Sequence, residues 1–246
     1  MEKTINTKNQ LITSIIINGG NSLIFIFYLK ELFLNFHLLK YLTYISYYAN
    51  SIFLLLCLIC DIFLYINENS EEESNYILMN NKNSYLNNNI LWAEKLNNWN
   101  RNKYGVICNT FSFFVSVSFW ILYFLGESYI KMNNTFFGLL SSINLHLLIT
   151  IFVIIDIFIS KRKHKFSADY FEIISFIFFV YCIICGIDKY YFNVNPYPFM
   201  NGSLLFLIIY VLISFFLLYG CYFFNVYLIN YNKKEIVPNI ELIKEE

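Results

Sequence analysis

A single imidazole stands inside an otherwise oily run. INLHLLITIFVIID, residues 143–156, carries His146 near its start and Asp156 ten positions further on. Imidazole is the side chain suited to take a proton near neutral pH, and a hydroxyl is a weak nucleophile until such a base stands beside it. The hydroxyls on the same half of the apolar runs are Thr43, Ser46, Thr110, Ser112, Ser141 and Ser142, and residue types alone do not choose among them. The other ionisable groups at the runs are Asp61, Glu172 and Asp188. Asp61, Asp156 and Glu172 fall toward the end that carries Lys161, Arg162 and Lys163, where charge pairing and anchoring are the simplest reading. The competing reading of His146 is structural, a neutral imidazole hydrogen-bonded between helices. Of the other histidines, His37 lies in a short connection and His164 within the basic run KRKHK.

Two cysteine pairs invite a metal. Cys57 and Cys60 form CLIC, and Cys182 and Cys185 form CIIC. Residues three apart share a helix face, so the pairs could meet. Both are embedded in apolar runs, where small soft side chains are ordinary core, and no second histidine stands at metal spacing. The reading is therefore no metal, no cofactor and no disulfide framework. The GxSxG elbow of soluble lipases is absent, which excludes an α/β-hydrolase.

The elements that must position these groups follow from composition. The chain has 246 residues, 58% hydrophobic, 21% aromatic and 14% charged, far from the roughly one-quarter charged of soluble domains. About 20 apolar residues cross the ~30 Å of hydrocarbon as a helix. Runs of that kind lie near residues 11–29, 41–66, 104–126, 136–160, 167–188 and 201–231, bounded by charge or Asn clusters. The expectation is an all-α, single-domain, multi-pass bundle of six transmembrane helices, in the endoplasmic reticulum or plasma membrane. Met1–Gln10 lacks the apolar core and cleavage site of a signal peptide, so the first run is read as retained.

Thirteen of the 17 Lys and Arg fall on the side of the termini, which places both termini in the cytoplasm. The segment 67–103 reads as a polar, Asn-rich, mobile cytoplasmic loop, within which ILWAEKLNNW forms an amphipathic stretch with Trp92 and Trp99 at headgroup level. The basic run beside a span points to anionic lipid rather than nucleic acid. Counted from their span ends, His146 lies about 15 Å deep and Thr43 shallower.

LKYLTYISYYANSIFLLLCLICDIF, residues 39–63, resembles the second span of the androgen-induced and androgen-dependent TFPI-regulating membrane proteins. FWILY at 119–123 is similar to their third-span Phe-Trp signature, HLLITIFVIID to their fourth span, and YPF at 197–199 to the element before their sixth. The likeness is collinear over about residues 39–231. It implies a six-span hydrolase that cleaves fatty acid esters of hydroxy fatty acids, with Thr43 as nucleophile and His146 as base, acting on lipid inside the bilayer. Family members carry a further histidine where Ile143 stands, and others near the end of the fifth span, where this chain reads GIDKYY. Asn144, Asp188 or a tyrosine remain open as the orienting or oxyanion group; Asp156, ten residues along the same helix, is too far. The alternative is a non-enzymatic polytopic protein, a small transporter, channel or scaffold, with His146 in a relay or structural role.

Overall fold

Hydrocarbon offers no partner to a backbone N–H or C=O, so runs of Leu, Ile, Phe and Val satisfy their own amides by coiling into helices. The computed structural model describes residues 2–34, 41–74, 84–125, 143–160, 164, 166–192, 197 and 202–234, and among these there is no strand. The helices are α1 (Glu2–Leu34), α2 (Leu42–Ser74), α3 (Ser84–Trp99), α4 (Gly105–Leu125), α5 (Ile149–Ser160), α6 (Ala168–Tyr191) and α7 (Leu204–Lys234). Among the described residues two π-helical turns interrupt the α geometry, Asn100–Tyr104 between α3 and α4 and Asn144–Leu148 leading into α5.

Among the described residues four helical stretches are long and apolar enough to cross a membrane: Leu42–Ile66, Leu91–Leu125, Ala168–Tyr191 and Leu204–Tyr231. Leu145–Ser160 is a shorter apolar helix, and residues 136–142 of the fourth expected span lie outside the described residues. α1 has the length of a crossing, but polar Ser14, Asn18, Asn21 and Ser22 break up its apolar character.

The third expected span differs most. It was expected to begin at 104 after a polar loop, yet the chain is helical without a break from Leu91 to Leu125, and α2 runs on to Ser74. The segment 67–103 is thus helical on both flanks, with Trp92 and Trp99 exposed on α3.

α4 is the hub. It packs against α2, α5, α6 and α7, and 61% of the most apolar window of its helical stretch is buried against 17% for α7. α1, α2, α4 and α5 close a ring, each touching the next and α5 returning to α1. Phe25, Tyr47, Leu54, Cys108, Leu145 and Ile149 form one apolar cluster inside it. A second core, with Phe114, Val153, Ile174, Phe178, Leu218 and Tyr222, joins α4 and α5 to α6 and α7. The outer faces of α6 and α7 expose Phe176, Phe179, Leu212 and Phe216, which suits lipid contact.

Because lipid tails are as apolar as Leu, packing and interhelical hydrogen bonds hold such helices together. Asn225 of α7 donates to Val106 O at 3.0 Å and Thr110 Oγ1 at 3.1 Å on α4. Asn50 of α2 donates to Cys108 O at 2.9 Å, and the hydroxyls of Ser112 and Thr150 lie 2.9 Å apart.

Candidate active site

Thr43 occupies the first turn of α2 and is half-buried. The first amide of a helix has no partner within it. Here the Leu42 N–H donates to Tyr181 Oη at 3.0 Å and Tyr197 Oη at 3.1 Å, and Tyr181 donates to Tyr197 at 3.1 Å. Two phenols thus clamp the residue before Thr43.

His146 sits in the middle of the second π turn, half-buried. Its ring lies face to face with Phe119 of α4, centroids 3.6 Å apart and planes 13° from parallel. Among the described residues its buried Nδ1 has no hydrogen-bond partner. A π turn inserts one residue into the helical register and is common at functional sites. A buried nitrogen left unbonded is a cost that calls for a reason.

Two cross-helix bonds give the depth of these groups. Seven residues out from the Asn50–Cys108 contact, Thr43 is level with Val115; four residues out from the Thr150–Ser112 contact, His146 is level with Ser116. The two therefore lie within about one helical turn of each other in depth. This corrects the expectation that Thr43 is shallower, because cross-helix pairing rather than distance from a span end sets height. Among the described residues no hydrogen bond links Thr43 to His146.

The other candidate hydroxyls are engaged. Ser46 accepts from Asn50, Thr110 donates to Val106 O, and Ser112 is paired with Thr150. Ser141, Ser142, His37 and the Asn144 side chain lie outside the described residues. Asp188 is half-buried on α6. His164 is buried and meets the Tyr170 ring edge-on, centroids 4.9 Å apart. Cys57 and Cys185 belong to different cores, so the two cysteine pairs do not share a cluster.

At the opposite end of the bundle a charged cluster forms that was not expected. Arg101, in the first π turn, donates to Asp61 at 2.9 and 2.7 Å and to Asp156 at 3.2 Å. Both carboxylates are fully buried and the guanidinium is 11% exposed. Ser14 donates to Asp61 at 2.5 Å and Asn97 donates at 3.1 Å. Asp61 and Asp156 are therefore held by a cation from the segment read as a loop. Lys161, Arg162 and Lys163, the partners expected for them, lie outside the described residues. Glu172 is exposed on α6. The available signal was periodic: Arg101, Gly105, Asn109, Ser112 and Ser116 recur at helical spacing in an otherwise aromatic stretch.

The sequence profile of the FAR-17a/AIG1-like protein family matches residues 22–230. The chain is a member of the FAR-17a/AIG1-like family. No curated protein and no solved structure matches it. The matched stretch takes in the four segments that carry the resemblance, and the fold brings them together in pairs at one end of the FAR-17a/AIG1-like bundle. The Tyr41 and Tyr197 rings pack edge-on, centroids 5.7 Å apart, and Tyr197 reaches Leu42. Phe119 of FWILY meets His146 of HLLIT. Within this FAR-17a/AIG1-like protein the site elements therefore come from α2, α4, the π turn before α5, α6 and the connection to α7.

Proposed function

We propose that this chain is an intramembrane lipid-ester hydrolase that cleaves fatty acid esters of hydroxy fatty acids, with Thr43 as nucleophile and His146 as general base. It crosses the membrane six times with both termini in the cytoplasm, so the site opens toward the non-cytoplasmic half of an endoplasmic reticulum or plasma membrane bilayer. The observation that carries the reading is His146 itself. An imidazole is held flat against Phe119, with a buried nitrogen that no group among the described residues satisfies, at the depth of a helix-end threonine. Family membership supports the same chemistry.

Thr43 Oγ1 attacks the ester carbonyl and its proton passes to His146. As the new C–O bond forms, the bond to the departing hydroxy acid breaks, and His146 returns the proton to that oxygen. Water then adds to the acyl carbon, the bond to Oγ1 breaks, and the fatty acid leaves. Two phenols lie at the nucleophile's turn, and of the open candidates we favour Tyr181 or Tyr197 as the oxyanion group. The apparent gap between Thr43 and His146 closes on substrate binding, since catalytic contacts tighten in the complex.

The second reading, a non-enzymatic polytopic protein with a polar relay, draws on the buried Asp61–Arg101–Asp156 cluster. One experiment separates the two. The purified protein in nanodiscs is treated with a fluorophosphonate probe, alongside Thr43→Ala and His146→Ala, and ester turnover is followed. Labelling and turnover in wild type that vanish in Thr43→Ala support the hydrolase. Labelling that survives Thr43→Ala removes the nucleophile, and a wild type with neither labelling nor turnover favours the relay.

A further inference from the structure

Toward the inner end of the α6 and α7 pair the Phe171 ring packs against Phe215 and Tyr219, centroids 5.7 and 4.6 Å apart. Farther out a cavity of about 380 Å³ opens between the two helices, lined among others by Ser175, Phe178, Phe179 and Cys182 of α6 and Val211 and Phe215 of α7. That size falls within the ~300–1,000 Å³ of ordinary ligand pockets. No charged residue lines it. Three of its lining residues, Phe176, Phe179 and Leu212, are more than half exposed on the outer faces of their helices, so its mouth opens sideways, where this chain meets lipid.

The cavity adjoins the candidate site. At its back Phe178 packs against Phe114 of α4, centroids 5.5 Å apart, and Phe178 and Cys182 belong to the same apolar core as Leu42, the residue before Thr43. Its outer end is fixed in height, because Cys182 follows Tyr181, whose phenol oxygen accepts the Leu42 N–H at 3.0 Å. Ser175 lies two helical turns back along α6, about 10 Å further in. The groove thus starts at the depth of Thr43 and runs inward. A slot without a cation suits an uncharged alkyl chain and disfavours a headgroup or a carboxylate. In the proposed orientation α6 enters from the cytoplasmic side. An acyl chain in the opposite leaflet extends from its carbonyl toward the bilayer centre, which is the direction of the groove. Because such a chain arrives from hydrocarbon, seating it gains packing rather than hydrophobic free energy, and the groove selects by shape.

We propose that the groove between α6 and α7 is the acyl-chain subsite for the ester cut at Thr43, and that it selects substrates by the length of their acyl half. This rests on the hydrolase reading above. Of the two halves of a fatty acid ester of a hydroxy fatty acid, the acyl half carries no charge once esterified, whereas the hydroxy acid half ends in a carboxylate. The uncharged groove therefore takes the acyl half, whose carbonyl falls at the level of Thr43 and the two phenols. The hydroxy acid half stays outside it.

The full chain in nanodiscs is assayed as wild type, Val211→Trp and Ile213→Trp, on palmitoyl and butanoyl esters of one hydroxy fatty acid and on a matched pair that varies the hydroxy acid chain instead. Val211 lines the groove, whereas Ile213, exposed on the same helix, does not. An indole fills the space of an alkyl chain, so Val211→Trp is expected to lower kcat/KM about tenfold or more for the palmitoyl ester and less than about twofold for the butanoyl ester. Equal effects on both esters, or the same split in Ile213→Trp, overturn the subsite. A split that follows the hydroxy acid chain overturns its assignment to the acyl half. Independently of turnover, the wild type is irradiated with palmitic acid carrying a diazirine at its tail. Cross-links at Phe179 and Phe215 are expected to exceed those at the exposed Phe216, which lies outside the groove, several-fold and to fall when excess unmodified palmitic acid is added. Equal labelling of the three, or labelling insensitive to the competitor, as from passing bilayer lipid, overturns the groove. A wild type without ester turnover overturns the hydrolase reading alone, and the cross-links still decide whether the groove holds an acyl chain.

Discussion

Phe119 lies flat on His146, with 3.6 Å between ring centroids. The contact orients by packing: the imidazole plane is set by an aromatic face, and among the described residues Nδ1 carries no hydrogen bond. Offset and edge-on ring pairs contribute about 0.5–1.5 kcal/mol beyond the area they bury, and a face-to-face pair such as this one contributes less. Phe119→Ala is expected to lower kcat about 100-fold, since a misplacement of about 1 Å at a reacting group costs that much, while substrate KM changes less than threefold. Steady-state kinetics on a lipid ester check both values.

The clamp on Leu42 predicts non-additivity. Either phenol alone can accept the Leu42 N–H, so Tyr181→Phe and Tyr197→Phe should each cost little. Together they leave a buried amide unsatisfied, a penalty of about 1–3 kcal/mol. A double-mutant cycle on thermal unfolding, with the fluorophosphonate labelling rate measured on the same samples, should give a coupling larger than the sum of the single effects.

Arg101 sits between two buried carboxylates. Removing one partner of such a cluster leaves charge uncompensated and costs about 3–5 kcal/mol, whereas replacing the whole set by apolar residues is often neutral. Arg101→Leu should therefore unfold far more readily in a denaturant titration in micelles. Adding Asp61→Leu and Asp156→Leu should recover more than half of the loss.

Asn225 ties α7 to the hub through two bonds to α4. Interhelical hydrogen bonds in membranes average about 0.6 kcal/mol, so Asn225→Leu should destabilise by about 1 kcal/mol in the same titration. Labelling of Thr43 should be unchanged, because the bonds lie on the side of α4 that meets α7.

The apolar helices were legible because hydropathy is a property of the chain read singly, and residue type and motif are what nominate the two candidate residues. His146 stood out as an imidazole among aliphatic neighbours, and Thr43 through the motif around it. Lateral pairing was not legible. Arg101 abuts an apolar run, and a cation at that place reads the same whether it faces headgroups or reaches inward to Asp61 and Asp156. The depth of Thr43 was misjudged for a related reason, since height depends on which residue of α4 faces Asn50, and no count along one helix supplies that. The π turns were invisible because they change register without changing composition.

That last property bears on how this protein drifts over generations. Loss of the codon for Leu147 or Leu148, on the α5 side of His146, would tighten the π turn to an ordinary one and shift His146 by one residue, about 100°, relative to α5. Hydropathy, length and overall likeness to relatives would hardly change. An inactive descendant could therefore look intact by every measure except the phase of one ring, so comparisons among such chains should count residues through that turn before inferring activity.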